Sequence, residues 1–360
     1  MADKTQVLLV GGGGIGTMAA LNLERGGLAE VTAVLRSNFE IVSRKGFSIK
    51  SCDHGSLENW RPTQSQSAAH RCLAVTASDN PETDIFGVLN SVPSILDTSP
   101  IVRYDYIVCC TKNIPDAGPG LPDIIAPAVS PAHTVIVLIQ NGHNIQLPFF
   151  SRFPSNIVLS GVSRIDAHEV SPGVVEQKQH DLLHVGAFQS PKLSKEEQHR
   201  AAQHFVRIYG AGGTNTCLYM PEVDFDRWSK LVYNASFNPI CALTGLNASE
   251  LQMTGRTMDT MVVPAMREVL AVAAAAGHNI PEDIIEKTIQ LNPMEENIKP
   301  SMQVDFEKGN LIEHENILGE VVREAQRHGV ATPILNVLYE ICCAHQWRFR
   351  KAALNEPRGT

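Results

Sequence analysis

The chain has 360 residues, 43% hydrophobic and 19% charged, and 38 acidic side chains against 30 Lys and Arg leave a net charge of −8. That length holds two domains, each with its own core. An acidic balance without a basic tract argues against nucleic acid or an anionic membrane as main partner, and no run of about 18 apolar residues suggests a membrane-spanning helix.

Met1–Gln6 leads straight into the first apolar run, so no signal peptide is expected. Eight cysteines, at 52, 72, 109, 110, 217, 241, 342 and 343, include no C-x-x-C pair and lie mostly in apolar runs. Buried, reduced thiols and a cytoplasmic setting are the expectation. No H-E-x-x-H ligand spacing occurs among the 13 histidines, and no metal is expected.

The first element is a Val- and Leu-rich strand, Val7–Val10, ending in Gly11-Gly12-Gly13-Gly14-Ile15-Gly16 and passing into a helix over Thr17–Arg25. Gly11, Gly13 and Gly16 stand in the G-x-G-x-x-G register of a dinucleotide-binding βαβ unit. Gly11 permits the sharp turn, Gly13 lets the backbone approach a pyrophosphate, and Gly16 lets the helix pack on its strand. The helix N-terminus offers free N–H groups and a favourable dipole to the phosphates.

Further strands are expected at Val31–Leu35, Tyr106–Cys110, Thr134–Ile139 and Ile157–Gly161. Continuous apolar runs of this kind belong to parallel sheets buried on both faces. Polar residues follow at their C-terminal ends, among them Arg36, Lys112, Asn141 and Arg164, the edge where open α/β sheets bind ligands. Residues 78–100 read as an insertion or surface excursion, 171–187 as a short β-meander turning at Pro172-Gly173, and Ser194–Tyr209 as a polar helix.

From about Pro221 the pattern becomes helical. Helices are expected over Arg227–Gly245, Thr257–Ala276, Asn316–His328 and Ile334–Phe349, with Ile317, Leu318, Val321, Val322 and Ala325 on one face of the third. The domains are read as 1–220, a Rossmann-like dinucleotide-binding domain, and 221–360, an all-helical substrate and catalytic domain.

The second strand ends in Arg36-Ser37-Asn38, with no acid until Glu40. NAD sites usually carry a carboxylate there for the ribose 2′-hydroxyl, whereas a guanidinium suits a 2′-phosphate. Arg36 therefore points to NADP(H), although a solvated Arg at a strand end is also common.

In Trp228–Pro239, Lys230, Asn234 and Asn238 share one helical stripe at i, i+4 and i+8, flanked by Leu231 and Phe237, which suggests a partly apolar cleft. Mid-helix asparagines are unfavourable, and Pro239 should kink the helix by removing the bond to the Ala235 carbonyl. The spacing equally fits a surface lysine with asparagines satisfying a bent helix. Ser301-Met302-Gln303-Val304-Asp305 and Glu313 form a second cluster, where Glu313 alone reads as an acid at a helix start.

Together these segments resemble the ketopantoate reductase (2-dehydropantoate 2-reductase) family nearly end to end. The resemblance rests on the glycine turn, Arg36, Lys112 after Cys109-Cys110-Thr111, Asn141-Gly142, W-x-K-L-x-x-N-x-x-x-N-P at Trp228–Pro239, S-M-x-x-D-x(7)-E at Ser301–Glu313, and Gly329–Pro333. It implies a Rossmann-like N-terminal domain and a helical C-terminal domain of the 6-phosphogluconate dehydrogenase C-terminal type. It also implies NADPH-dependent reduction of 2-dehydropantoate to D-pantoate, a step of pantothenate biosynthesis, by a monomer or homodimer.

By the same resemblance Lys230 is the general acid and Glu313 binds the substrate hydroxyl. Asn234, Asn238 and Ser301 match substrate-binding positions, Asn141 lies near the nicotinamide ribose and substrate, and Lys112 near the adenosine end. Gly11, Gly13, Gly14, Ile15 and Gly16 hold the pyrophosphate and Arg36 the 2′-phosphate. An ammonium beside the ketone oxygen suits hydride transfer, because it stabilises the growing negative charge and then donates a proton. The stretch from Arg36 to Lys112 is long for the family, and Leu243–Glu250 follows it only loosely. Reduction of another 2-oxo acid, or a non-catalytic NADPH-binding regulator, are the alternatives.

Overall fold

The computed structural model of the protein describes residues 4–62, 88–89, 92 and 103–355. They gather into two compact units, the first drawn from Met1–Thr111, Pro119–Gln140 and Gln146–Val223, the second from Lys112–Gly118, Asn141–Ile145 and Asp224–Thr360. Two short segments from the first half of the chain thus belong to the second unit.

The first unit runs β1 (Thr5–Val10), α1 (Gly14–Arg25), β2 (Ala29–Val34), α2 (Phe39–Lys45), β3 (Phe47–Ser51), β4 (Gly55–Trp60), β5 (Val88–Leu89), β6 (Tyr106–Cys109), α3 (Leu121–Ile125), β7 (Val135–Leu138), α4 (Leu147–Arg152), β8 (Val158–Ser163), β9 (Ala167–Ser171), β10 (Val174–Gln177), β11 (Leu182–Ala187), α5 (Lys195–Gly210) and β12 (Thr216–Tyr219). Val7, Leu8 and Leu9, like Ile107 and Val108 beside them, are wholly buried, as the unbroken apolar runs anticipate. The larger sheet has the order β12-β11-β8-β7-β6-β1-β2-β5. From β5 to β8 every pairing is parallel, and the order of connection reverses between β1 and β6, the switch point at which such sheets bind nucleotides. The segment read as an excursion, 78–100, lies outside the described residues except Val88–Leu89, which add a parallel strand beside β2, and residue 92.

The expected meander is corrected. β9 and β10 do pair antiparallel around Pro172-Gly173, but in a second sheet of order β4-β3-β10-β9, while β11 pairs antiparallel with β8 in the larger sheet. The β3–β4 hairpin was hidden by its charged and polar outward face. Against α1, β10 and β11 a polar cluster is buried: Asp181 Oδ2 accepts from Tyr209 Oη at 2.7 Å and from Asn22 Nδ2 at 2.6 Å, and Asn22 Oδ1 lies 2.8 Å from His54 Nε2.

The second unit holds α6 (Val223–Asn234), α7 (Phe237–Thr244), α8 (Ala248–Met253), α9 (Val263–Ala275), α10 (Ile284–Gln290), α11 (Ser301–Glu307), α12 (Glu320–His328) and α13 (Pro333–Asn355). The single helix expected over Arg227–Gly245 is two, because Pro239 supplies no N–H for the Ala235 carbonyl and the chain breaks at Ala235-Ser236. Wide π-type turns, Met258–Val262 and Glu315–Gly319, lead into α9 and α12. Ile317, Leu318, Val321, Val322 and Ala325 are all buried, as expected. Leu231 and Phe237 are wholly within this helical core rather than along a cleft wall. The loosely matching stretch Leu243–Glu250 has a local explanation: Asn247 Oδ1 accepts from the Ser249 and Glu250 amides at 2.9 Å and Glu250 returns to the Asn247 amide, capping α8.

Among the described residues no helix is long and apolar enough to cross a membrane. The described cysteines are free thiols, mostly covered as expected, but Cys52 is exposed.

Candidate active site

In the first unit the glycine turn is built as the motif demands. Gly11 has φ +103°, and a Cβ there would lie 2.8 Å from the Thr111 amide nitrogen at the end of β6. A Cβ on Gly16 would fall 1.8 Å from the Gly11 carbonyl oxygen, so only glycine lets the helix start so close to the turn. Around Gly13, by contrast, an added Cβ meets no atom within 4 Å. That open backbone at a helix start leaves room for a diphosphate, whereas Gly14 is required by packing: its Cβ would sit 2.2 Å from the Ala167 carbonyl of β9. Ile15 packs against the sheet's core. Arg36 is exposed just after β2. Asn38, which the sequence reading passed over, is buried and donates from Nδ2 to the Gly12 carbonyl at 2.8 Å and to Glu169 Oε1 at 2.7 Å, pinning the turn.

The second unit brings four of the expected site residues into one chain of polar contacts. Lys230 on α6 donates from Nζ to Asn141 Oδ1 at 2.7 Å, and Asn141 Nδ2 donates to Glu313 Oε2 at 3.4 Å. Lys112 Nζ stands 3.7 Å from the same carboxylate oxygen and 2.8 Å from Asp305 Oδ2. The amide of Asn141 is oriented by charge on both sides, its oxygen towards an ammonium and its nitrogen towards a carboxylate. Glu313 is only 6% exposed, and its Oε1 accepts the Asn113 backbone N–H at 2.9 Å. Burial disfavours the Lys112 charge, but Glu313 and Asp305 outweigh it and its pKa is raised.

Gly142, already part of the Asn141-Gly142 match, and two residues outside the matched motifs, Asn316 and Arg227, hold this arrangement. Asn316 accepts on Oδ1 from Asn113 Nδ2 at 3.1 Å, donates to the His143 carbonyl at 2.9 Å, and its own carbonyl takes the His143 N–H at 2.7 Å. Gly142 lies within that clamp with φ +100°, where a Cβ would come 2.6 Å from Asn316. Arg227, buried, donates from Nη1 to the Gly142 carbonyl at 2.8 Å. Burial lowers its guanidinium to about 10, with Asp226 and Asp224 opposing, so it stays charged at neutral pH. His143 packs tilted against Trp228 with ring centroids 4.5 Å apart, and burial depresses it to about 4. No motif carries Asn316 or Arg227, since each is defined by a partner some 85 to 203 positions away.

Asn234 and Asn238 are buried on the Lys230 stripe, with Asn238 Nδ2 3.4 Å from Asn234 Oδ1. Asn238 Oδ1 is enclosed without a hydrogen-bond partner, a cost a native core seldom carries unless a ligand relieves it. Ser301, half-buried, opens α11, the helix that packs against α7 and so against the element bearing Asn238.

Two family profiles cover almost the whole chain: ketopantoate reductase PanE/ApbA matches residues 7–190, and its C-terminal counterpart matches 222–346. The chain belongs to this family. An uncharacterized protein of Saccharomyces cerevisiae is 35% identical, the match covering 96% of this chain and 95% of the yeast one. The crystal structure of 2-dehydropantoate 2-reductase from Methylococcus capsulatus superposes with a TM-score of 0.74 at 28% identity, covering 96% and 97% of the two chains. A D-mandelate dehydrogenase solved with NADH and anilino(oxo)acetate shares the fold with a TM-score of 0.76 at 19% identity, covering 96% of this chain and 100% of that one. PanE/ApbA proteins are oxidoreductases, and the α/β first unit and helical second unit described above are the family's fold.

Proposed function

We propose that this member is an NADPH-dependent reductase of a 2-oxo acid, with 2-dehydropantoate as substrate and D-pantoate as product. The observation that carries the reading is the Lys230–Asn141–Glu313 chain: an ammonium and a buried carboxylate held apart by one neutral amide. When bound, the reduced nicotinamide supplies a hydride to the ketone carbon. Lys230 Nζ stabilises the oxygen that becomes negative and gives it a proton, which completes the secondary alcohol. Asn141 keeps the lysine amine from collapsing onto Glu313, leaving that carboxylate to accept from a substrate hydroxyl. Asn234, Asn238 and Ser301 supply uncharged partners for the substrate's carboxylate and hydroxyl, and the unpaired Asn238 oxygen supports this assignment.

The open backbone at Gly13 and the helix start behind it fit the cofactor diphosphate. The exposed Arg36 and the absence of an acid beside it in the sequence favour the 2′-phosphate of NADPH. Likeness to a D-mandelate dehydrogenase supports a second reading, reduction of a bulkier 2-oxo acid by the same residues. The test is oxidation of NADPH and NADH by the purified protein over a panel of 2-oxo acids that includes 2-dehydropantoate and phenylglyoxylate. Turnover greatest with 2-dehydropantoate supports the first reading, and preference for an aromatic acid supports the second. A flat response across the panel rejects both and leaves a cofactor-binding regulator.

A further inference from the structure

Outside the polar chain just described, His314 and Glu315, the two residues that follow Glu313, join Cys343 to bring a ring nitrogen, a carboxylate oxygen and a sulfur within 4.8 Å of one another. We propose that these three side chains form a zinc site, with water in the fourth position.

His314 is 2% exposed and its ring is fixed from two directions. Nδ1 lies 3.3 Å from the Ile312 carbonyl oxygen, and Nε2 lies 3.4 Å from Glu315 Oε1. A neutral imidazole has one N–H. With a neutral ring donating to the Ile312 carbonyl, the Nε2 lone pair is left facing a carboxylate, an arrangement that a cation between them satisfies. A backbone carbonyl on one ring nitrogen is the arrangement that fixes the other as a metal ligand. The 3.4 Å separation is also about the edge of a tetrahedron with bonds of about 2.05 Å, the length zinc makes to imidazole and carboxylate.

The surroundings fit as well. Arg323 Nη2 holds the second Glu315 oxygen, Oε2, at 3.0 Å, which aims Oε1 at the ring. Tyr339 stacks on His314 at 5.9 Å between centroids and donates to Glu315 Oε1 at 2.9 Å, a hydroxyl ready to bond a metal-bound water. Cys343 stands one turn after Tyr339 on α13 and is half-covered, so an ion can enter from solvent. A thiolate, an imidazole and a carboxylate together select zinc over the hard cations magnesium and calcium. Binding exchanges the Cys343 thiol proton, released to solvent, for a Zn–S bond. The sequence hides the site because its donors are an adjacent His-Glu pair and a cysteine 28 residues on, a spacing no common zinc motif uses.

The test uses the full-length protein, stripped with chelator and titrated with Zn²⁺ and Co²⁺. One equivalent of zinc should bind and raise the melting temperature, and cobalt should give a thiolate-to-metal charge-transfer band. Cys343→Ser should abolish that band, and Glu315→Gln should weaken zinc at least tenfold, while circular dichroism stays that of the wild type. Absence of saturable zinc binding, or equal binding by wild type and Cys343→Ser, overturns the proposal and leaves His314 and Glu315 as an ion pair.

Discussion

Asp181 gives the first unit a pH dependence whose size can be worked out. Its carboxyl is 1% exposed and meets two donors, the Tyr209 hydroxyl and the Asn22 amide. Burial dominates and raises it, the Tyr209 hydrogen bond pulls the other way, and Asp53 raises it further, to about 6. Against about 3.9 for an unfolded aspartate this is roughly two units. A folded pKa above the unfolded one means that the native state holds the proton more tightly. The stabilisation is therefore complete below about pH 4 and is lost as the pH rises through about 6. Between pH 4.5 and 7.5 the loss is about 2 kcal/mol at 1.36 kcal/mol per unit. Asp181→Asn keeps an oxygen for both donors and does not titrate. Relative to wild type, its melting temperature should rise by about 4–8 °C between pH 4.5 and 7.5, at 2–4 °C per kcal/mol for a unit of this size. Differential scanning calorimetry of both proteins across that range decides the matter. Parallel curves would show that Asp181 does not carry the shifted proton.

Three further outcomes are expected. Lys230→Ala should lower kcat at least ~100-fold in the NADPH assay while fluorescence titration shows nearly unchanged NADPH affinity; near-normal turnover would remove the lysine from its role. Arg36→Ala should selectively weaken NADPH, measured as the ratio of kcat/KM for NADPH and NADH, and an unchanged ratio means that another residue reads the 2′-phosphate. Gly142→Ala forces a side chain into positive φ and against Asn316, so it should cost about 1–3 kcal/mol of stability and reduce kcat, as chemical unfolding and steady-state rates would report.

The five principal strands, the glycine turn and the buried face of Ile317–Ala325 were legible because apolar runs and helical periodicity are local signals. Lys230, Asn141, Glu313 and Lys112 could be named from short motifs, yet their contacts could not. Asn141 has no reading of its own until α6 offers an ammonium to its oxygen and the segment before Glu315 a carboxylate to its nitrogen. Asn316 and Arg227 were invisible for the same reason. They bind backbone carbonyls, and any sequence supplies those. The smaller sheet escaped because β4 is exposed on alternate and adjacent positions, leaving little apolar pattern.

Since Lys112–Gly118 and Asn141–Ile145 fold with the helices, the two halves of this protein are not separable by a single cut. A fragment starting after residue 220 would carry Lys230 and Glu313 but neither Asn141 to bridge them nor Asn113 to cap the carboxylate. An engineer wishing to exchange helical units between relatives must therefore transplant three pieces of chain, and a crossover placed at the obvious junction would yield a hybrid with mismatched partners around its buried acid.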